Sequence, residues 1–344
     1  MICGDSSNQE LLLIAPTPYH TEKGSALRVD MMAKRYRDAG YSVDVLCYNR
    51  GTDPDIEGVT VRRAGIKRFT TDTAGPSATD FLNDLFILFG AAKLVVENDY
   101  NLIQGEDFEG ISVVLMVSLL SNTALIYDLH NPLTENLRIN NVSVPDFISR
   151  TVEKIVYSKV DKIISNWNQW EADIRNRFGV DYVETVHDDL PDTEHKIELP
   201  TEDYLVYVGN FKEYQGVDML IRAFATISET VDVDLVLVGD PTPEIRDVAV
   251  ELDIEDRVFF LGQQEIEIAN YVIDNAMGSV IPRRSGTQPG TKLIHYAMHD
   301  PPILATDLEC NRELQALGHT VFWANPTVES LSIGIQRLCE ENNG

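Results

Sequence analysis

The sequence predicts an α/β protein of two Rossmann-like, doubly wound domains. Three observations predict it. Short apolar runs of strand type alternate with helix-period segments along the chain, the signature of parallel α/β sheets. The alternation halts once, between about 188 and 203, where Asp188-Asp189-Leu190-Pro191-Asp192 and Glu198-Leu199-Pro200 combine acid and proline with little periodicity. Finally, 344 residues, 44% of them hydrophobic, are too many for one ordinary core and enough to fill two.

In the first half, Leu11-Leu12-Leu13-Ile14 is a strand within 11–15, ended by Pro16 and Pro18, which cannot continue a hydrogen-bonded ladder. Further strands are expected near 42–48, 58–63, 101–104 and 124–129, with helices near 24–39, 78–96, 109–121 and 146–159. After Lys159-Val160-Asp161-Lys162, the run Ile163-Ile164-Ser165 reads as one more strand, with a helix near 167–177. The alternation restarts at Tyr204. Strands are expected at 204–208, 233–238, 257–261, 278–281 and 302–305, and helices at 216–228, 243–252, 266–275 and 291–299. The domains are therefore placed at 1–190 and 204–330, joined by a linker over 191–203. A C-terminal helix over 331–344 is expected to pack back toward the first domain. No solenoid repeat or low-complexity segment interrupts this plan.

The formal charge is −27, from 55 acidic against 28 basic residues, of which 10 are lysine. Acidic excess with scarce lysine marks an acidic surface adapted to high salt, where carboxylates stay hydrated and their repulsion is screened. A halophilic cytoplasm is the expected setting. The same charge excludes general nucleic-acid binding. It is unevenly spread: residues 1–100 carry 14 acids and 11 bases, whereas residues 181–280 carry 24 and 5. Lys34, Arg35, Arg37, Arg62, Arg63, Lys67 and Arg68 gather at the N-terminal end. They read either as solvated faces or as a patch for an anionic acceptor or lipid headgroups.

Cys3, Cys47, Cys310 and Cys339 have neither metal-ligand nor disulfide spacing, which fits a reducing compartment. The Leu11–Ile14 run is too short for a secretory signal. The longest apolar stretches, 81–96 and 111–120, fall short of a bilayer span. The expected location is cytoplasmic, soluble or peripheral on the inner face of the membrane.

The stretch most specific for chemistry runs from Pro282 to Met298. An apolar strand, Gly278-Ser279-Val280-Ile281, enters the loop Pro282-Arg283-Arg284-Ser285-Gly286-Thr287-Gln288-Pro289-Gly290-Thr291, and the loop opens a helix with Lys292 in its first turn. Free amides at a helix start favour an anion, and Gly286 and Gly290 allow close backbone approach. Lys292 adds a full charge, so a phosphate is the expected ligand. Lys292, His295 and His299 are spaced i, i+3, i+7, which puts them on one helical face.

This stretch, closed by Pro302-Ile303-Leu304-Ala305-Thr306, resembles the donor-binding segment of glycosyltransferase family 4, the retaining sugar transferases of the GT-B fold. The resembling branch reads P-R-x-x-G-T-N-x-P-x-K-x-x-x-Y-x-A. Other matches follow in the family's order: Ala15-Pro16-Thr17-Pro18-Tyr19 with Lys23-Gly24-Ser25 and Arg28; Tyr127-Asp128-Leu129-His130; Val206-Tyr207-Val208-Gly209-Asn210-Phe211 with Tyr214-Gln215-Gly216-Val217; Leu237-Val238-Gly239; and Phe260-Leu261-Gly262. The resemblance implies two Rossmann-like domains facing across a cleft. It also implies transfer of a sugar, of hexosyltransferase type, from a nucleotide diphosphate donor to a glycan or lipid-linked acceptor.

Carried over residue by residue, it assigns His130, Lys292 and Lys212 to catalysis. Donor binding falls to Gly24, Gly209, Asn210, Arg283, Arg284, Gly286, Thr287, Gly290, Thr291, His295 and Gly262. His130 is expected to hydrogen-bond the donor sugar or the incoming acceptor hydroxyl. Two departures stand out. The family's paired glutamates, eight positions apart, are replaced by Thr287 and His295, and its diphosphate-binding arginine and lysine by Asn210 and Gln215. The diphosphate is then expected to be gripped by amide dipoles and by Lys212, Arg283, Arg284 and Lys292, without acidic side chains. No cofactor or metal is implied, because Asp53-Pro54-Asp55 is turn-like and Asp232-Val233-Asp234 alternates along a strand. Two alternatives stay open: a nucleotide-sugar epimerase on the same architecture, and a non-catalytic nucleotide-sugar-binding protein.

Overall fold

The first apolar run forms β1 (Gln9–Ala15), whose last five residues are all buried, as a strand covered on both faces requires. The computed structural model describes residues 9–19, 24–54, 56–66, 78–139, 142–188, 196–287, 289–290, 292–299 and 301–342. It divides into two units, Met1–Asp189 and Leu190–Gly344.

In the first unit, β1 is followed by α1 (Gly24–Asp38), β2 (Tyr41–Tyr48), β3 (Val59–Ala64), α2 (Ala78–Glu97) and β4 (Leu102–Glu106). Then come α3 (Asp107–Val117), β5 (Ala124–Leu129), α4 (Leu133–Ile139), α5 (Asp146–Tyr157), β6 (Lys162–Ser165), α6 (Asn168–Phe178) and β7 (Val183–Thr185). The seven strands pair in parallel in the order β3-β2-β1-β4-β5-β6-β7. Strand order therefore reverses between β1 and β4, the position where open α/β sheets bind ligands at their carboxyl ends.

The second unit repeats the plan with β8 (Tyr204–Val208), α7 (Val217–Ala225), β9 (Asp234–Val238), α8 (Pro243–Glu251), β10 (Val258–Gly262) and α9 (Ile266–Asp274). It continues with β11 (Gly278–Ile281), α10 (Lys292–Ala297), β12 (Ile303–Thr306), α11 (Glu313–Ala316), β13 (Val321–Ala324) and α12 (Val328–Asn342). Its parallel order, β10-β9-β8-β11-β12-β13, reverses between β8 and β11.

Every expected strand is present. The sequence reading omits β7, β13, α4 and α11, which are three to seven residues long and too short to show a period. Two helices are corrected. The helix expected over 291–299 is the six-residue α10, so less backbone dipole is available there than a longer helix would supply. The C-terminal helix begins at Val328, not 331, and packs on α7, β12 and β13 of its own unit, where Leu331, Ile335 and Leu338 are fully buried. Its apolar face is thus part of the second unit's core. Among the described residues, no helix is long and apolar enough to cross a membrane.

Candidate functional site

In the second unit, the site grows from the carboxyl ends of β8 and β11. The Val208 amide, at the end of β8, donates to Tyr296 Oη at 2.6 Å, which ties α10 to the strand end. Tyr296 is fully buried, so the tie also fixes how α10 turns. Lys292, first residue of α10, then reaches back over β8: Nζ lies 4.7 Å from the Tyr207 ring centroid and donates to Gln215 Oε1. Burial pushes its pKa well below the usual lysine value, and the neighbouring Arg283 adds to the depression. A half-buried lysine beside a second cation is a setting that suits an anion.

Arg283 itself is 7% exposed, with its guanidinium 5.6 Å from the Tyr214 ring centroid and Nη1 3.4 Å from Cys310 Sγ. Its carbonyl accepts from Thr306 Oγ1 at 2.7 Å, joining the loop to β12. Gly286 is required beside it: φ is +134°, and a Cβ there would come within 2.9 Å of Arg283 Nη2. Arg284 is directed elsewhere, to Asp218 on α7 at 2.5 Å. A carboxylate already neutralises that cation, which leaves Lys292 and Arg283 as the paired charges of the loop.

The other expected donor-side residues lie around this loop. Gly209 follows β8, and the Asn210 carbonyl accepts from Tyr207 Oη at 2.6 Å. Asn210 Oδ1 accepts from the Lys212 amide at 3.2 Å, while the Lys212 side chain is exposed. Gly262 ends β10, and its carbonyl accepts from the Gly239 amide at 2.8 Å. The Gly290 carbonyl accepts from the Leu293 amide at 2.8 Å, Thr287 is exposed, and Thr291 lies outside the described residues. Gly24, the first residue of α1, belongs to the first unit.

His295 Nδ1 lies 2.9 Å from Asn270 Oδ1 on α9, so Nδ1–H donates and Nε2 keeps its lone pair. Burial, with His299 nearby, lowers its pKa from 6.5 to about 4. It is neutral at pH 7, and Nε2 offers a lone pair to a hydrogen-bond donor, as a carboxylate oxygen would. The unfolded chain binds a proton at this position below 6.5 and the folded protein only near 4, so stability is full above pH 6.5 and falls as the pH drops through that window. The expected loss is up to about 3 kcal/mol. Urea unfolding at pH 7 and pH 4.5 should show His295→Gln losing this share of the slope. His299 instead pairs with Asp274 at 2.5 Å, a structural contact beyond the end of α10.

The first unit holds a second cluster, at the carboxyl ends of β4 and β5. Arg28 on α1, 2% exposed, donates through Nε to both oxygens of Asp128 at 3.0 Å and through Nη2 to Oδ1 at 2.6 Å. Its Nη1 reaches Asp188 at 2.6 Å and the Val186 carbonyl at 3.0 Å. His130 Nε2 lies 2.9 Å from Glu106 Oε2, and Glu106 Oε1 accepts from Gln104 Nε2 at 2.7 Å. Parallel pairing places Glu106 directly beside Asp128.

Asp107 opens α3 with φ +52° and a buried carboxyl whose Oδ1 has no hydrogen-bond partner among the described residues. Burial raises its pKa, offset in part by His130. Helix α3 sits flush on the sheet because residue 110 is glycine: a Cβ there would lie 2.7 Å from the Ile14 carbonyl oxygen. Burial alone would lower the pKa of His130, but the hydrogen bond to Glu106 and the charges of Asp128 and Asp107 raise it above the ordinary histidine range.

Sequence reasoning missed Glu106, Asp107 and Gln104, so the first unit carries an acidic cluster around His130 that the sequence reading did not include. The available signal was Gln104-Gly105-Glu106-Asp107 at a strand end, next in sheet order to Asp128-Leu129-His130. Ligand atoms of Glu106, Asp128 and His130 lie within 4.8 Å of one another, the one such grouping found among the described residues. Arg28 occupies both Asp128 oxygens and His130 faces Glu106, so these atoms already satisfy one another as an ion-pair network.

The N-terminal cations are largely paired as well: Lys34 with Asp30 at 2.6 Å, Arg37 with Asp38 at 2.6 Å, Arg62 with Asp44 at 3.1 Å and Arg63 with Asp53 at 2.7 Å. Lys67 and Arg68 lie outside the described residues. Pairing within the unit favours solvated faces over an anion-binding patch.

Comparison with known proteins supplies the family. Residues 23–187 match the family described as "Glycosyl transferase 4-like domain" and residues 202–341 the family described as "Glycosyl transferases group 1". A curated relative, N-acetyl-alpha-D-glucosaminyl L-malate synthase of Bacillus anthracis, is 43% identical over 68 residues, a match spanning 19% of this chain and 18% of that protein. Sucrose-phosphate synthase from Thermosynechococcus elongatus is similar in structure, with a TM-score of 0.73, 20% identity, and 98% of this chain and 91% of that chain covered. Anabaena HepE in complex with UDP gives a TM-score of 0.68 and 19% identity over 97% of this chain and 90% of that chain. At those identities the structures speak for the fold, and the matched domain families, taken in order across both units, speak for descent. The chain belongs to the glycosyltransferases, with a 4-like first domain and a group 1 second domain on the two-domain GT-B fold.

Proposed function

We propose that the protein is a retaining glycosyltransferase that moves a hexosyl group from a nucleotide diphosphate sugar to a glycan or lipid-linked acceptor, without a divalent ion. One observation carries the reading: Lys292, half-buried, and Arg283, buried, lie on the helix and loop that follow β11, beside the reversal of strand order, and two cations so placed suit an anion. A diphosphate fits that setting, and the Anabaena relative is described in complex with UDP. His295, neutral and with Nε2 as acceptor, suits a ribose hydroxyl in place of the family's second glutamate.

In the proposed reaction, the bond from the sugar's anomeric carbon to the phosphate oxygen breaks. The acceptor oxygen bonds to that carbon from the same face, and its proton passes to the departing diphosphate. Negative charge grows on the leaving group, where Lys292 and Arg283 offset it. Exposed apolar side chains on α2 and α3, among them Phe89 at 71% and Met116 at 55%, suit an acceptor carried by a lipid at the membrane face.

A thermal-shift screen of UDP-, GDP- and ADP-sugars in molar salt tests the donor. One nucleotide and its sugar conjugate should raise the melting temperature, and that donor should then give transfer to an acceptor. Donor turnover without any acceptor would favour epimerisation. Binding with neither transfer nor hydrolysis would favour a binding protein, and no shift with any nucleotide would sink all three.

A further inference from the structure

The first unit contains a directed chain of hydrogen bonds that ends on His130. Tyr36 Oη, on α1, donates to Gln104 Oε1. That contact fixes which way the Gln104 amide points, so its Nε2 is turned to Glu106 Oε1 at 2.7 Å. Glu106, 4% exposed, is held by one oxygen and presents the other, Oε2, to His130 Nε2 at 2.9 Å. Burial and the charge of Asp128 raise the Glu106 pKa to about 7, against the pull of His130 and Arg28; once ionised, the carboxylate only accepts, so His130 then carries its proton on Nε2. Among the described residues no hydrogen bond is made to Nδ1, and the ring is 14% exposed. Nδ1 is the nitrogen left for a ligand.

We propose that Glu106 is a positioning residue which, aligned by Tyr36 through Gln104, fixes the ring and tautomer of His130 and assigns Nδ1 to the sugar. The groups facing His130 define what Nδ1 does. Glu106 and Asp107 stand at the junction of β4 and α3, Asp128 stands on β5, and the cation of α1, Arg28, is engaged by Asp128 and Asp188. Three carboxylates against a ring, with no free cation beside it among the described residues, favour the imidazolium. His130 then donates from Nδ1 to a sugar or phosphate oxygen and does not act as a base. This role deepens the transferase reading and rests on it, whereas the tautomer itself is a property of the ligand-free protein.

The test is nitrogen NMR of protein labelled with 15N-histidine, with His130→Asn identifying the signals. In the wild type, the His130 ring is expected to keep Nε2 protonated and to titrate above the ordinary histidine range. In Glu106→Gln the result is directional. Gln104 donates to the retained side-chain oxygen, so the new amide NH2 faces His130, and the neutral ring must switch its proton to Nδ1. Its titration midpoint should fall by one unit or more, about a tenfold loss of proton affinity. Turnover should fall about 10- to 100-fold, with little change in the donor's KM. Tyr36→Phe, a milder change that leaves all the carboxylates in place, should shift the same midpoint in the same direction. An unchanged tautomer and midpoint in Glu106→Gln, or no shift in Tyr36→Phe, would overturn the relay. Since those readouts need no substrate, they are independent of the nucleotide-sugar screen, whose failure would sink the transferase reading and leave the NMR result standing.

Discussion

Replacing Lys292 with alanine is expected to lower turnover by one to three decades while the fold stays intact. A cation about 4 Å from the departing diphosphate, at an effective dielectric near 20, contributes at most roughly 4 kcal/mol. That corresponds to about three decades in rate. The lower end applies if Arg283 takes over part of the charge. Helix α10 should survive the change, since Tyr296 bonded to Val208, not Lys292, ties it to β8. The loss should fall on turnover more than on the binding of the sugar moiety, and removing the cation should also weaken binding of the free nucleoside diphosphate. Lys292→Arg should restore only part of the rate, because the guanidinium spreads its charge and does not set it at the single point where the ammonium meets Gln215. Steady-state kinetics on the donor found by the screen measures both variants. A near-normal rate in Lys292→Ala would remove this residue from the mechanism.

The largest stability effect is expected at Arg28. Its guanidinium is 2% exposed and Asp128 is fully buried, so Arg28→Met strands a carboxylate in the interior and frees the segment around Val186 and Asp188. Breaking a buried pair from one side typically costs about 3–5 kcal/mol. Denaturant unfolding should show a loss of that size. The double variant Arg28→Met/Asp128→Leu should recover much of it, because the stranded charge is then gone. A loss under about 1 kcal/mol in the single variant would mean that water or a cation reaches Asp128 once Arg28 is removed.

The cation-bearing loop of the second unit was legible in the sequence because it is contiguous. Residues 282–298 carry the strand end, the glycine turn, the cations and the histidine in one stretch, and each signal is local. Even there the sequence overestimated the helix, since propensity around Met298 and His299 does not reveal that His299 turns away to Asp274. Arg284 looked equivalent to Arg283, yet only Arg283 is buried in the loop, while Arg284 finds Asp218 on α7. The cluster of the first unit was only partly legible. His130 stood out after an apolar strand, but its partners could not be read, because Glu106 is 24 residues away and Arg28 meets Asp128 across 100 residues.

By itself, then, the sequence determined the class of the protein, the order of its elements, the division near residue 190 and the loop that carries Arg283 and leads to Lys292. These follow from hydrophobic period, turn chemistry and local charge, which act over a few residues. Only the tertiary structure decided which charges meet. Parallel pairing of β4 with β5 sets Glu106 beside Asp128, α1 lays Arg28 across them, and burial then makes those contacts strong enough to set the protonation of His130.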